Sequence, residues 1–227
     1  QRQMCIRDRA LYYGMVSEVD VQIGRVLEAL DESGNRENTI IVFASDNGLA
    51  MGQNGLVGKQ SLYDHSVGVP MLIIDPRKPQ QGRKTDALCY LYDLYPTLCE
   101  LVGVEIPSSV TGRSLKPVLD DSTAQHREDL FFIYSNQQRA LLKENYKYII
   151  YNVEGKITEQ LFDLKNDPGE LVNLAETEKE KAQAYKALLN QRMQENHDFC
   201  NLDNPLWWKD AHKLTWEECQ TLYLFDK

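Results

Sequence analysis

One short run of residues constrains the fold more than any other part of the chain. Residues 40–44 are apolar and mostly β-branched, and Ser45, Asp46, Asn47 and Gly48 follow them directly. Such a run is typical of a strand buried on both faces of a parallel sheet. Open α/β sheets bind ligands at the carboxyl ends of their strands. Asp46 and Asn47 are therefore predicted to lie at a ligand-binding edge.

The residue types at this edge favour a hard metal ion. Asp46 offers a carboxylate and Asn47 an amide oxygen, which suit Ca²⁺ or Mg²⁺ better than Zn²⁺ or Cu²⁺. Lys59 follows at short range and could place an ammonium beside the cation, so that the two together would hold a tetrahedral oxyanion. The alternative is that Ser-Asp-Asn-Gly is simply a turn, because these residues dominate turns for local backbone reasons.

The surrounding pattern is that of an α/β protein with a mostly parallel central sheet. Residues 11–33 predict an amphipathic helix whose apolar stripe packs on the sheet. The residues of this stripe are Tyr12, Val16, Val19, Ile23, Val26, Leu27 and Leu30. The loop at 48–66 holds four glycines and is long enough to suggest a function. Strands are predicted at 38–44, 70–74 and 85–92, and a helix at 93–102 that Gly103 closes.

The composition changes after about Leu119, where a polar stretch marks a candidate boundary. Beyond it the spacing of short apolar runs predicts an antiparallel meander, followed by a polar helix at 176–196 with one face on the small sheet. The predicted strands are 130–135, 139–144, 147–152 and 160–164. The predicted division of the chain is a non-native extension (1–9), an α/β portion (10–120), an antiparallel-sheet subdomain with a helix (121–197) and a tail (198–227).

Four blocks in this order resemble the C-terminal half of a type I, formylglycine-dependent sulfatase of the alkaline phosphatase-like superfamily. The blocks are residues 12–48, 55–73, 93–119 and 159–175. The resemblance covers residues 10–196. It implies the C-terminal portion of an alkaline phosphatase-like parallel-sheet sandwich, followed by a small antiparallel sheet and helix.

The resemblance also implies a chemistry. In the family a formylglycine hydrate aligned by Ca²⁺ attacks the sulfur of a sulfate ester. Carried over, Asp46 and Asn47 look like two Ca²⁺ ligands and Lys59 like the lysine that contacts the sulfate. His65 could reach a substrate hydroxyl or the leaving oxygen, or it could be a capping or solvent-facing residue. The formylglycine and the other ligands have no counterparts here, so the chain alone is expected to bind Ca²⁺ weakly and to be inactive.

The first nine residues contain the one cysteine that could mimic the formylglycine signature. Cys5 is followed at the right distance by Arg9, but the Pro and Ser of Cys-x-Pro-Ser-Arg are absent. Cys5 is also too close to Asp46 for the family's spacing. We therefore predict that Cys5 is not the nucleophile and that residues 1–9 are a foreign extension.

Composition excludes several classes of protein. A net charge of −9 argues against nucleic acid as a partner, and no apolar run approaches the length of a membrane span. The five cysteines lack zinc spacing, and His126, His197 and His212 lack any motif, so these histidines are expected at the surface. The three tryptophans of the tail, Trp207, Trp208 and Trp216, are expected to pack on the body or to contact a sugar.

Three functions compete. The first is a periplasmic or secreted sulfatase that acts on a sulfated carbohydrate or another small sulfate ester. The second is a related phosphodiesterase or phosphonate monoester hydrolase, although such enzymes commonly carry His where this chain has Asn47, because imidazole suits a transition metal better. The third is a non-catalytic sulfatase-like domain, against which the intact Asp46, Asn47 and Lys59 argue.

Overall fold

A computed structural model describes residues 2–78, 82–153, 155–198 and 200–204, without the side chains of residues 2–5. The tryptophans predicted to pack or to contact a sugar lie outside the described residues. The chain forms two compact units, one of Gln1–Lys59 with His65–Thr85 and one of Gln60–Asp64 with Asp86–Lys227. The domain boundaries proposed from the sequence stay predictions.

The first unit contains one long helix and two short antiparallel ribbons. Its elements are α1 (Arg2–Glu32), β1 (Ile41–Ala44), β2 (Ala50–Met51), β3 (Val57–Gly58), α2 (Asp64–Val67, whose first residue belongs to the second unit) and β4 (Met71–Ile74). Strands β2 and β3 form a ribbon within the glycine-containing loop, and a 3-10 turn at Gln53–Gly55 joins them. The predicted long loop therefore has its own secondary structure.

Helix α1 is longer than predicted, and its apolar stripe is more exposed to solvent than predicted. It begins at Arg2, because the first residues are helix formers such as Arg and Met and include neither glycine nor proline. The predicted stripe is only partly covered in the described structure, since Val16, Val19 and Val26 are at least half exposed. The physical reason is that the first unit offers two narrow ribbons rather than a broad sheet against which the helix could pack.

The pairing of β1 with β4 corrects the prediction of a mostly parallel sheet. Among the described residues these strands pair antiparallel, with Ile41 opposite Ile74 and Ala44 opposite Met71. The chain between them returns to the end of β1 from which it left, as the hydrogen bond from Ser45 N to the carbonyl of Pro70 shows. A parallel partner would need a connection that crosses to the opposite end. Burial on both faces was also wrong here, since Phe43 is 42% exposed.

The second unit is built on a four-stranded antiparallel meander, as predicted. The strands are β5 (Asp129–Tyr134), β6 (Gln138–Lys143), β7 (Tyr146–Val153) and β8 (Lys156–Asp163), in that spatial order. Helices α3 (Leu94–Val102) and α4 (Lys116–Asp120) precede the sheet and α5 (Lys179–Glu195) follows it. The predicted closure of α3 by Gly103 is confirmed by its left-handed backbone, with φ of 76°.

Helix α5 covers one face of this sheet, which confirms the prediction made for it. Three of its residues are buried against inward-facing sheet residues in one cluster. The cluster comprises Leu141, Tyr148, Ile150, Leu161, Ala182, Leu189, Met193 and Leu202. Burial of each large apolar side chain contributes about 1.5–3 kcal/mol.

Residues 85–92, all of which the structure describes, do not form the predicted strand. Tyr90 is extended, and a 3-10 turn follows it at Leu91–Asp93. The Tyr90 hydroxyl accepts from Phe131 N at 2.6 Å and donates to the carbonyl of Phe131 at 3.0 Å. A side chain thus satisfies the edge of β5 where a neighbouring strand would use its backbone.

The fully buried Asp93 joins α3 to the chain that enters β5. Its carboxylate accepts hydrogen bonds from Arg127 at 3.0 and 2.5 Å, and His126 Nε2 lies 3.2 Å away. The surface position expected for His126 is therefore wrong, because its side chain is 5% exposed. Burial alone would raise the pKa of Asp93, but hydrogen bonds from Arg127 and from the backbone N–H groups of Arg113 and Tyr90 hold it below its ordinary value.

Candidate functional site

The end of β1 delivers Asp46 and Asn47 into a hydrogen-bonded turn. Ser45 Oγ donates to the carbonyl of Asn47 at 2.9 Å, and Asn47 N donates to Asp46 Oδ1 at 2.9 Å. These are the local bonds that make such residues common in turns. The turn and the ligand-binding interpretations are therefore compatible, since the turn fixes the direction of both side chains.

Lys59 meets Asn47 across the glycine-containing loop. Its Nζ lies 3.0 Å from Asn47 Oδ1, and Asn47 Nδ2 donates to the carbonyl of Gly48 at 2.9 Å. The second bond fixes which end of the amide faces the lysine. Because an ammonium has three protons, the bond to Asn47 leaves two for a bound anion. The structure thus brings together two of the residues singled out in the sequence, while Asp46 is exposed beside them.

Gly48 allows the segment that carries His65 to approach the same turn. Gly48 N donates to the carbonyl of Ser66 at 2.9 Å. A methyl group at Gly48 would lie 2.0 Å from the carbonyl oxygen of His65, closer than any real contact. Only glycine fits between the two backbones. His65 is half-buried, and its role stays a prediction.

The donors present fit part of a hard-cation site. A carboxylate and an amide oxygen are donors that Ca²⁺ accepts, but Ca²⁺ takes six to eight oxygens. In the part of the chain that the structure describes, no group of three or more His, Cys, Asp or Glu side chains could hold a metal. Asp46 and Asn47 could therefore contribute two ligands to a larger set.

A separate cavity of about 670 Å³ lies in the second unit, between the chain entering β5 and the end of α5. Two of its arginines are engaged by carboxylates. Arg127 binds Asp93, and Arg192 binds Asp129 and Glu195 at 2.8 and 2.7 Å. Arg113 also lines the cavity, whose walls therefore carry charges of both signs.

Sequence reasoning missed the buried charged residues of the second unit. Lys147 is the second residue of β7 and is 0% exposed, and Glu170 is 4% exposed. The signal available was weak, since an isolated lysine between two tyrosines is typical of an exposed position. Lys147 can be buried because it pairs with the carboxylate of Glu170, which is distant along the chain.

Comparison with known proteins identifies the family. Residues 52–198 match the family model described as N-sulphoglucosamine sulphohydrolase, C-terminal. The chain belongs to the sulfatase family. This sulfatase chain is 35% identical over 192 residues to arylsulfatase K of Xenopus laevis, covering 78% of the chain and 36% of that relative. It therefore spans about a third of the relative's length.

Solved structures agree with the assignment. One, described as a complex with its substrate D-glucosamine-2-N,6-O-disulfate, superposes with a TM-score of 0.73 and 28% identity, over 83% of this chain and 40% of that one. Phosphonate monoester hydrolase of Agrobacterium radiobacter superposes with a TM-score of 0.70 and 30% identity, over 82% and 41%. The α/β fold expected for the C-terminal portion of a sulfatase is thus confirmed. None of the helices in the described ranges is long and apolar enough to cross a membrane.

Proposed function

We propose that this chain is the C-terminal part of an enzyme that hydrolyses sulfate esters of a carbohydrate. The observation that carries the proposal is the Lys59 ammonium, 3.0 Å from Asn47 Oδ1 in the turn that follows β1. Membership of the sulfatase family supports the class of reaction. One similar solved structure is a complex with a sulfated glucosamine, its substrate, which supports a sulfated sugar as the substrate here.

Lys59 has the properties that recognition of a sulfate ester requires. Sulfate monoesters are anions, and the chain carries a net charge of −9, so a local positive site must attract them. Lys59 is exposed, and its ammonium donates to the amide oxygen of Asn47; the described residues show no ion pair between it and a carboxylate. A positioned cation stabilises the charge that shifts during cleavage more effectively than a mobile one.

Asp46 and Asn47 are proposed as two ligands of a Ca²⁺ ion. The cation, when bound, would neutralise the nonbridging oxygens of the sulfate. Asn47 would then serve both groups, because an amide oxygen has two lone pairs and Lys59 takes one. The remaining ligands and the formylglycine are proposed to come from other parts of the full-length enzyme. His65 is proposed to contact a substrate hydroxyl, and a periplasmic or secreted location is proposed from the family.

Substitutions in the full-length enzyme test these roles separately. Lys59→Ala should lower kcat/KM by about 10² or more with Ca²⁺ content unchanged, because it removes a preorganised cation and no metal ligand. Asp46→Ala should lower both metal content and rate. Lys179→Ala, at a surface position of α5 that is 70% exposed, is the matched control and should change neither. Normal kcat/KM in Lys59→Ala, or full Ca²⁺ occupancy in Asp46→Ala, would contradict the assignment.

A phosphonate monoester hydrolase is the second candidate, because one such enzyme is similar in structure over most of the chain. The side chain of Asn47 distinguishes the two, since an amide favours Ca²⁺ over the transition metals that imidazole ligands prefer. Assay of the full-length enzyme with an aryl sulfate and an aryl phosphonate decides between them. Preference for the phosphonate would exclude the sulfatase proposal.

A further inference from the structure

The face of the four-stranded sheet opposite α5 binds the short segment Gln60–Asp64. Gln138, at the start of β6, holds its backbone at two points. Gln138 Oε1 accepts from Leu62 N at 3.3 Å, and its Nε2 donates to the carbonyl of Gln60 at 3.4 Å. A single amide thus pairs with a donor and an acceptor on one edge of the segment, as a neighbouring strand would. Leu62 is 3% exposed beneath this contact.

A buried ion pair holds the other end of the segment. Lys147 Nζ lies 2.7 Å from Glu170 Oε1, 3.4 Å from the carbonyl of Leu62 and 3.5 Å from Asp64 Oδ1. Glu170 Oε2 accepts from Asp64 N at 2.6 Å. Burying an ammonium is costly unless it is paired and hydrogen-bonded. Here both charges are compensated by each other and by the backbone of the segment.

The backbone of Glu170 adopts a strained conformation, which indicates that its side chain is needed at this position. Its φ is +53°, in the left-handed region where a residue with a Cβ is strained by about 1–2 kcal/mol. Glycine would fill such a position without strain. Burial raises the pKa of Glu170, and the Lys147 ammonium opposes that rise. The strained backbone is offset by contacts that aim the carboxylate at Lys147 and Asp64.

Tyr63 provides a third attachment. Its hydroxyl donates to Gln160 Oε1 at 2.8 Å, and its ring lies 5.9 Å from that of Phe162. Gln160 and Phe162 are alternate residues of β8 and therefore share this face. Residues of β6, β7 and β8, together with Glu170, thus fix a segment of five residues.

We propose that Gln138, Lys147, Gln160 and Glu170 are positioning residues for the sulfatase reaction, and we name these four the cradle. The segment they hold begins directly after Lys59 and ends directly before His65. Fixing its backbone restricts the directions in which both residues can leave it. A misplacement of about 1 Å in a catalytic group can cost about 10² in rate. This inference rests on the proposed role of Lys59 and adds the means by which Lys59 is held.

A double-mutant cycle in the full-length enzyme tests the proposal. Gln138→Ala and Tyr63→Phe should each lower kcat/KM for a sulfate ester by about tenfold, with Ca²⁺ content unchanged. In a Lys59→Ala background the same substitutions should have little further effect, because the group that they position is absent. Gln191→Ala, which removes a surface glutamine bonded to Glu195, is the matched control and should leave kcat/KM unchanged in both backgrounds.

The outcomes separate this inference from the proposed function. Equal losses in both backgrounds, or no loss from Gln138→Ala and Tyr63→Phe while Lys59→Ala is impaired, would overturn the cradle alone. Normal activity in Lys59→Ala would overturn the proposed role of Lys59 as well. Should Gln138→Ala fail to fold, Tyr63→Phe decides the matter, because it removes one hydroxyl and keeps the ring packed against Phe162.

Discussion

Gly48 shows how much a single residue constrains the turn after β1. An added methyl group would meet the carbonyl oxygen of His65 at 2.0 Å and its carbon at 2.9 Å, and neither backbone atom can swing aside. Gly48→Ala should therefore destabilise the chain by about 1–3 kcal/mol, the usual cost of overpacking. It should also displace Asn47 from Lys59. Denaturant unfolding measures the first effect, and kcat/KM of the full-length enzyme the second.

Gly24→Ala is the matched control for that substitution. Gly24 lies inside α1, and apart from the backbone of its own helix and its chain neighbours no described atom lies within 4 Å of the added carbon, so alanine should stabilise the helix by about 0.5–1 kcal/mol. Equal stability of Gly48→Ala and the unmodified chain would show that the close approach at Gly48 relaxes in solution.

The sequence singled out Asn47 and Lys59, which the structure brings into contact, but it missed buried charged residues whose partners are distant along the chain. Asp46, Asn47 and Lys59 are close along the chain, so residue type and spacing were enough to suggest a role for them. Lys147 and Glu170 are 23 positions apart in a 227-residue chain, and only the folded sheet reveals that each buries the other. Whether a charged residue can be buried depends on its partner, and the local sequence pattern does not identify that partner.

At the scale of elements, Asp93 connects α3 to the chain that enters β5. Asp93→Asn should destabilise the chain by about 3–5 kcal/mol, because it leaves the guanidinium of Arg127, 10% exposed, without its carboxylate. Asp31→Asn removes an exposed pair with Arg36 and is the control, with an expected cost below about 1 kcal/mol. Denaturant unfolding of both variants at neutral pH gives the comparison. Similar losses in the two variants would contradict the structural role of Asp93.

Ionisation of Asp93 should make the stability of the fold depend on pH in the acid range. The pKa of Asp93 in the folded chain lies below its ordinary value of 3.8. The ionised form therefore stabilises the fold fully above about pH 3.8, and this contribution is lost as the pH falls through the lower, folded-state pKa. Asp93→Asn should lose less stability than the unmodified chain over that window.

Secondary-structure elements could be predicted where the local sequence pattern is enough to specify them. The meander of β5 to β8 follows from the spacing of short apolar runs, and the closure of α3 at Gly103 from the left-handed backbone that glycine allows. The predicted strand at 85–92 failed because the side chain of Tyr90, rather than backbone pairing, binds β5. The parallel pairing of β1 failed because strand direction depends on the path of the loop, which apolar runs do not specify.

At the scale of the whole molecule, the chain is proposed to provide only part of a sulfatase site. It matches about a third of the length of a curated relative, and the residues proposed for its part of a site are the oxygen ligands Asp46 and Asn47, the cation Lys59, and His65. The second unit adds no further charge to that set. Its proposed contribution, through the cradle, is to hold the segment between Lys59 and His65.

The 227-residue chain, assayed alone with Ca²⁺ and an aryl sulfate, should therefore show no turnover above the uncatalysed background. Two ligands are too few for Ca²⁺, and the sequence contains no Cys-x-Pro-Ser-Arg or Ser-x-Pro-Ser-Arg element to provide a formylglycine. The full-length enzyme in the same assay is the positive control. Calcium titration of the chain should likewise show weak binding or none. Sustained turnover that disappears on Cys5→Ala would show instead that the N-terminal cysteine is a nucleophile and that the chain is catalytically sufficient.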